Sequence, residues 1–188
     1  MLHASGYDAV GVDPEAPEGP EYRRVRFEDA EFEHSVDAVV ACTSLHHVAD
    51  PERVLDRIVE ILRPTGALVV VEWAWEAFDE RTAAWCFERL EREGDGWLHR
   101  RRDEWARSQE KWAVYLRDWA TREGLHRGET LLRELDRRFD RLFLEHGPYF
   151  FSDLPATSEA EERAAIAAHR IRAARIDYLG RPALAGAT

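Results

Sequence analysis

Short apolar runs alternate with charged segments in the first 73 residues of the chain. Ala9 to Val12 and Tyr22 to Phe27 are brief runs that predict two short strands. Val36 to Cys42 is apolar almost throughout, as expected for a parallel strand covered on both faces, and Ala67 to Trp73 predicts the next buried strand. Before the first of these runs, Leu2 to Tyr7 resembles the tail of a helix closed by a glycine.

A helix is predicted between the two longer runs. Asp50 is a natural N-cap, and Pro51 sits at the first helical position, where its missing N–H costs nothing. Pro64 and Gly66 then stop the helix. Apolar residues recur at helical spacing between these limits, at Val54, Leu55, Ile58, Ile61 and Leu62. Strand, helix and strand with short links predict a right-handed parallel crossover.

The second half of the chain has a different pattern. Residues 77–147 are rich in Arg and Glu and predict charged helices. The last of these helices is predicted to extend almost to Gly147 along one apolar face, formed by Leu131, Leu132, Leu135, Phe139, Leu142 and Phe143. Tyr149 to Leu154 then predicts a strand, a capping box at Ser158 and Glu161 opens a helix, and Ile171 to Leu179 predicts the final strand.

Composition narrows the range of partners. Apolar residues make up 45% and charged residues 34% of the chain, which indicates a globular protein. The net charge of −11 argues against nucleic acid as the main partner, because phosphate binding favours a basic face. One basic run, His99 to Arg102, is interpreted as a solvated helix face, with contact to a phosphate or acidic substrate as the alternative.

Sequence signals also bear on location and redox state. No signal peptide is visible, and no apolar stretch approaches the ~20 residues that cross a membrane. We therefore predict a cytoplasmic protein without a membrane span. The cysteines, Cys42 and Cys86, lack metal or redox spacing and are predicted to be buried, reduced thiols.

Three tryptophans are spaced seven residues apart, at Trp105, Trp112 and Trp119, which would place them on one helix face. This stripe is interpreted as core or as the seam of a homodimer. The alternative is a roof over an apolar or aromatic substrate pocket, or stacking near a cationic ligand.

The order of these elements resembles the class I S-adenosyl-L-methionine-dependent methyltransferases, especially the small-molecule branch related to quinone-biosynthesis enzymes. The resemblance is carried by Val10–Pro14, Phe27–Ala30, Asp37–His47, Leu62–Gly66 and Leu68–Glu72, and by two closing strands that look like the family's antiparallel sixth and seventh. It implies a Rossmann-like α/β fold with a mostly parallel sheet, and transfer of a methyl group to a small molecule. The implied organisation is one globular domain: a partial cofactor-binding core (1–76), a helical substrate-cover insertion (77–147) and a closing strand–helix–strand (148–188).

Cofactor contacts are predicted at the carboxyl ends of the strands. Asp13 is placed to accept both ribose hydroxyls, although an Asp before Pro also forms turns. The resemblance implies that Asp29 accepts a hydrogen bond from the adenine amino group beside the Ala30 backbone; a solvated loop acid is the alternative. Ligands in open α/β sheets lie beyond the carboxyl ends of strands, so three residues after the strand should face the cofactor: Thr43, Ser44 and Leu45.

His46 and His47 are the candidate catalytic residues. An imidazole titrates near neutrality, so either can act as a general base on a substrate hydroxyl or amine. The alternative is that the pair is a local motif of the family without a catalytic role, because the sulfonium is already activated and methyl transfer depends largely on positioning. No metal site is predicted, since no partner ligand has suitable spacing.

The sequence departs from the family in one respect. The family's first strand and the glycine-rich turn after it are expected before the elements described above, but Met1 comes after that point. Three explanations are open for the missing strand. The start codon is assigned too late, the gene is a decayed fragment, or the sheet is closed differently or by another chain. We expect the natural protein to be a methyltransferase, and this truncated 188-residue form to bind cofactor weakly or not at all. The alternative functions are a non-catalytic interaction module and a nicotinamide-dependent oxidoreductase.

Overall fold

The computed structural model describes residues 5–183. The helices in this range are α1 (Pro51–Ile61), α2 (Glu80–Phe87), α3 (Trp97–Ser108), α4 (Trp112–Arg122), α5 (Gly128–Arg138) and α6 (Glu159–Ala167). The strands are β1 (Gly11–Val12), β2 (Tyr22–Arg23), β3 (Val36–Cys42), β4 (Leu62–Trp73), β5 (Phe139–Gly147) and β6 (Arg175–Pro182). Residues 2–4 of the helix end predicted at Leu2 to Tyr7 lie outside the described residues.

The strands of residues 5–183 form two sheets, and together with the helices they confirm the predicted α/β class. The larger sheet has the order β3–β4–β6–β5, with β3 and β4 parallel and the β4–β6 and β6–β5 pairs antiparallel. The antiparallel strand at the C-terminus is thus present as predicted. β1 and β2 pair in parallel as a separate two-stranded sheet.

The crossover from β3 to β4 follows the predicted pattern. The Asp50 side chain accepts a hydrogen bond from the Arg53 N–H at 3.1 Å, which satisfies one free donor of the first turn of α1. The apolar face of α1 is buried, with Leu55 at 0% and Ile58 at 1% exposure. α1 ends at Ile61, and β4 begins at the next residue, earlier than predicted.

The end of α5 differs from the prediction. The helix stops at Arg138, and Phe139–Gly147 is the strand β5 rather than its continuation. The spacing of Leu142 and Phe143 fits a helix, but these side chains are 52% and 48% exposed, and the backbone pairs with β6 instead. Pairing within a sheet has overridden the local periodicity.

The prediction of a strand at Tyr149 to Leu154 is also wrong. Phe151–Asp153 forms a 3₁₀ turn. The buried carboxylate of Glu162 accepts hydrogen bonds from the N–H groups of Tyr149 and Phe151, at 2.8 and 2.7 Å. These donors are therefore not available to a strand ladder. The strand of the closing block lies earlier, at β5, while the predicted capping box of α6 is present.

β3 is more exposed than its sequence predicted. Val40 is 58% exposed, although Val36–Cys42 reads as a strand covered on both faces. Cys42 is also exposed, so the prediction of two buried thiols holds only for Cys86. No strand within residues 5–183 pairs with the edge of β3 that faces away from β4.

The tryptophans belong mainly to the core. Trp105 lies on α3 whereas Trp112 and Trp119 lie on α4, so the three do not share one helix as the spacing predicted. Trp112 is completely buried, and its ring packs edge-on against Phe78 and Trp105. The core interpretation is confirmed for Trp112. The predicted boundaries at residues 76 and 147 remain predictions.

Candidate active site

A short segment joins β3 to α1 at the carboxyl end of β3. Its first residue, Thr43, has a φ of 47°, an unusual value for a β-branched residue, and its N–H donates to the Val71 carbonyl at 2.7 Å. Leu45–His47 then form one 3₁₀ turn. The Thr43–His47 segment therefore leaves the sheet in a defined, sharply turned conformation.

The carboxylate of Glu72 organises this segment from the neighbouring strand. Its Oε1 accepts hydrogen bonds from the N–H groups of Ser44 and Leu45, at 2.7 and 2.5 Å. Its Oε2 contacts His46 Nδ1 at 2.5 Å and accepts from the Trp73 N–H at 3.2 Å. Glu72 is 1% exposed, so a buried charge is stabilised only because these donors surround it.

The two histidines occupy different environments. His46 is 3% exposed and held by Glu72, whereas His47 lies on the solvent side, with its ring centroid 4.1 Å from that of His46. Partial burial of its ring, followed by the charge of His46, lowers the pKa of His47. At neutral pH this shift favours the uncharged imidazole, the form that can accept a proton.

A third histidine supports the same segment. The His126 N–H donates to the His46 carbonyl at 2.9 Å, and its ring Nε2 lies 2.8 Å from the Val48 carbonyl. In the part of the chain that the structure describes, no group of three His, Cys, Asp or Glu side chains could hold a metal ion.

Asp13 follows β1 and forms a local turn. Its Oδ1 accepts from the Glu15 N–H at 2.7 Å, and its backbone N–H donates to the Arg23 carbonyl at 3.1 Å. The exposed carboxylate thus takes part in the turn that Asp before Pro suggested. Its hydrogen bonds remain within the β1–β2 region and do not join it to the Thr43–His47 segment.

Asp29 and Ala30 are attached to α1. Asp29 ends a 3₁₀ turn, and its Oδ1 accepts from Arg53 Nη2 at 2.9 Å. Ala30 is buried, and its carbonyl accepts from Arg57 Nη2 at 3.1 Å. Because α1 also follows the Thr43–His47 segment, one helix links these two groups of predicted site residues.

Aromatic rings cover the carboxyl end of β4. Trp73 stacks on Tyr149 at 5.6 Å and 9°, and also contacts Trp97, Trp119 and, edge-on at 6.0 Å, the His46 ring. Burial raises the pKa of Tyr149 to about 12, so its phenol stays protonated at neutral pH. The helical region thus closes over the strand end next to His46.

Glu72 is the main residue that sequence reasoning missed. Its signal in the sequence is that of a single acidic residue within an otherwise apolar run, Leu68 to Trp73. An acid at that position in a buried strand calls for several hydrogen-bond donors nearby. The sequence does not reveal that those donors are the backbone of the segment after β3.

Residues 3–70 match the model of a methyltransferase domain family. The matched segment includes β1, β2, β3, α1 and most of β4, and therefore every predicted site residue. No curated protein matches the chain.

Solved structures show similarity in fold. The PH0226 protein from Pyrococcus horikoshii OT3 aligns with 97% of this chain and 74% of its own, at a TM-score of 0.55 and 11% identity. The N-methyltransferase NodS from Bradyrhizobium japonicum WM9, in complex with S-adenosyl-L-homocysteine, aligns with 87% of this chain at a TM-score of 0.45 and 13% identity. The chain spans about half of NodS, 54% of its length.

A further neighbour is the putative S-adenosylmethionine dependent methyltransferase from Listeria monocytogenes, with 13% identity, a TM-score of 0.47, and coverage of 93% of this chain and 80% of its own. The comparisons lend no support to an interaction module or a nicotinamide-dependent oxidoreductase. Among residues 5–183, no helix is long and apolar enough to cross a membrane.

Proposed function

We propose that the protein transfers a methyl group from S-adenosyl-L-methionine to a small-molecule acceptor. The observation that carries this proposal is the methyltransferase-domain match over residues 3–70, combined with the shared fold. The same segment contains the Thr43–His47 turn that Glu72 holds at the carboxyl end of the sheet. Ligands of open α/β sheets bind at that end.

The side chains near this end suit the nucleoside part of the cofactor. Asp13 and Asp29 are exposed carboxylates, and one oxygen of each accepts a hydrogen bond, from the Glu15 N–H and from Arg53 respectively. Such groups can accept hydrogen bonds from ribose hydroxyls or an adenine amine. We assign the surface beyond Thr43, Ser44 and Leu45 to the rest of the cofactor, whose sulfonium supplies an activated methyl group.

We assign proton removal from the acceptor to the histidine pair. Glu72 contacts His46 Nδ1, so the tautomer with a proton on Nδ1 is favoured and Nε2 is left as the proton acceptor. A proton from an acceptor hydroxyl or amine would pass to Nε2 of His46, or to the neutral ring of His47. The charge of Glu72 would stabilise the resulting imidazolium of His46.

The wider setting follows from the same proposal. We assign the helices between residues 77 and 147 to acceptor cover, because Trp97 and Trp119 pack over Trp73 at the strand end. A cytoplasmic location, the quinone-biosynthesis-like branch and a homodimer remain part of the proposal.

A calorimetric titration with S-adenosyl-L-homocysteine tests this function without knowledge of the acceptor. We expect weak, saturable binding, with a Kd on the order of 0.1–1 mM, that weakens about tenfold in Asp29→Ala. Glu60→Ala is the matched control, because it also removes an exposed acid paired with an arginine of α1. Equal affinities of the Asp29 variant and the wild type, or no saturation at millimolar ligand, would contradict the proposal.

A further inference from the structure

The basic run on α3 is not a solvated helix face. Arg100 is exposed, but the next residue, Arg101, is only 9% exposed and points into the packed helical region. A buried guanidinium is costly unless its donors are paired. The donors of Arg101 therefore need hydrogen-bond acceptors.

The protein satisfies Arg101 only in part. Its Nη2 donates to Glu104 Oε1 at 2.8 Å, and its guanidinium lies over the Trp119 ring at 4.7 Å. Its Nη1 is buried and has no hydrogen-bond partner. An unpaired donor of this kind in a native structure indicates a missing acceptor, which is either an ordered water or part of a ligand.

The position of this donor relates it to the candidate active site. Trp119 contacts Trp73 at 6.0 Å, and Trp73 contacts the His46 ring at 6.0 Å. The indole N–H of Trp73 is a second buried donor without a partner. Two unpaired donors thus belong to residues that both pack against Trp119, whose own side chain is only partly buried and can be approached from solvent.

We propose that Arg101 binds a carboxylate on the acceptor substrate, with the Trp119 ring packing against an aromatic or apolar part of that molecule. This inference rests on the proposed function, because it assigns the class of acceptor. Glu104 already neutralises the charge of Arg101, so the site favours a single negative charge over a doubly charged phosphate. The planar guanidinium suits a planar carboxylate.

Benzoate is the simplest probe of this site, and NMR of the indole N–H groups detects its binding. The Trp119 resonance is identified with Trp119→Phe. We expect benzoate to shift that resonance and to bind at least about tenfold more tightly than neutral benzyl alcohol or cationic benzylamine. Phenyl phosphate is expected to bind more weakly than benzoate.

Variants of neighbouring arginines separate this site from general charge effects. Arg101→Gln is expected to reduce benzoate affinity at least about tenfold, whereas Arg100→Gln, with the same change of charge on the exposed face of α3, leaves it unchanged. Arg101→Lys keeps the charge but not the planar donor pair, and is expected to bind at an intermediate level. Circular dichroism establishes that each variant is folded.

Several results would overturn the assignment. In the wild type, equal binding of benzyl alcohol and benzoate, or tighter binding of phenyl phosphate, would do so. An unchanged benzoate affinity in Arg101→Gln would also overturn it. A chain that binds S-adenosyl-L-homocysteine but not benzoate would refute only the acceptor class. A chain that binds benzoate but not S-adenosyl-L-homocysteine would refute the methyl-transfer proposal and leave the carboxylate site in place.

Discussion

β3 and β4 are parallel neighbours in one sheet, yet they are packed very differently. On β4, Leu68 and Val70 are 0% and 1% exposed, because β6 pairs with its second edge and these side chains belong to the hydrophobic core. On β3, Val40 is 58% exposed. Apolar composition alone therefore does not establish that a strand is buried; its neighbours decide that.

The same contrast separates two larger regions. The methyltransferase-domain match ends at residue 70, so it includes the short strands β1 and β2 and the exposed β3. Among the described residues, the large buried aromatic side chains all lie beyond it, for example Trp112, Phe78 and Phe150. The candidate site lies where the two regions meet, and Glu72 joins them. We infer that the densely packed region supplies rigidity to a site whose sequence signature lies mostly in the other region.

The largest expected effect comes from the aromatic core. Trp112→Ala removes a fully buried ring and the 2.6 Å hydrogen bond from its indole N–H to the Phe78 carbonyl. We expect a loss of about 3–5 kcal/mol in the free energy of unfolding, measured by urea denaturation. Tyr7→Ala, in the loosely packed region and 64% exposed, should change stability by less than about 0.5 kcal/mol. Similar losses in both variants would remove the contrast.

Glu72→Gln tests the junction between the regions. The amide keeps the size of the side chain but loses the charge and one acceptor oxygen, so the N–H groups of Ser44 and Leu45 or His46 Nδ1 lose a partner. We expect a loss of about 1–3 kcal/mol in the free energy of unfolding. Glu145→Gln is the control, because that exposed acid forms an ion pair with the exposed Arg163. An effect no larger than the control would show that Glu72 does not organise the segment.

The two strands can be compared directly with one substitution. Val70→Thr buries a hydroxyl in an apolar setting and should cost about 1–3 kcal/mol. Val40→Thr places the same hydroxyl on an exposed surface and should change stability by less than about 0.5 kcal/mol. A cost above 1 kcal/mol at Val40, from the same denaturation experiment, would mean that this face of β3 is covered in solution.

The cysteines provide the smallest perturbation, since no residue is changed in the first measurement. Cys42 is exposed, whereas burial raises the pKa of the Cys86 thiol far above its ordinary value, so that it stays protonated at pH 8. A disulfide reagent should therefore modify one thiol in the native chain and two in denaturant. Cys42→Ser should abolish the native reaction. Two reactive thiols in the folded chain would contradict the burial of Cys86.

The sequence was most informative where local signals and tertiary packing agree. Asp50, Pro51 and the apolar face of α1 predicted that helix because capping and periodicity point to the same element. The prediction for Phe139 to Gly147 was wrong because helical spacing continues there, while the backbone pairs with the distant strand β6, from Phe139 opposite Pro182 to Gly147 opposite Arg175.

The candidate site was predictable only in part. The sequence pointed to Thr43, His46 and their neighbours because they follow an apolar strand. The partner of that segment, Glu72, comes from another strand, and the exposure of Arg101 depends on how α3 packs against α4. Contacts between distant parts of the chain leave no periodic signal, so the electrostatics of the site could not be derived from spacing.

Hydrogen exchange with and without S-adenosyl-L-homocysteine tests the central claim most directly, namely that the carboxyl ends of the first strands and the segment held by Glu72 form the cofactor site. We predict that the ligand slows amide exchange in residues 11–15, 27–30 and 43–47, leaves β5 and β6 unchanged, and loses this effect in Asp29→Ala. Protection confined to other parts of the chain, or equal protection in the Asp29 variant, would contradict the account.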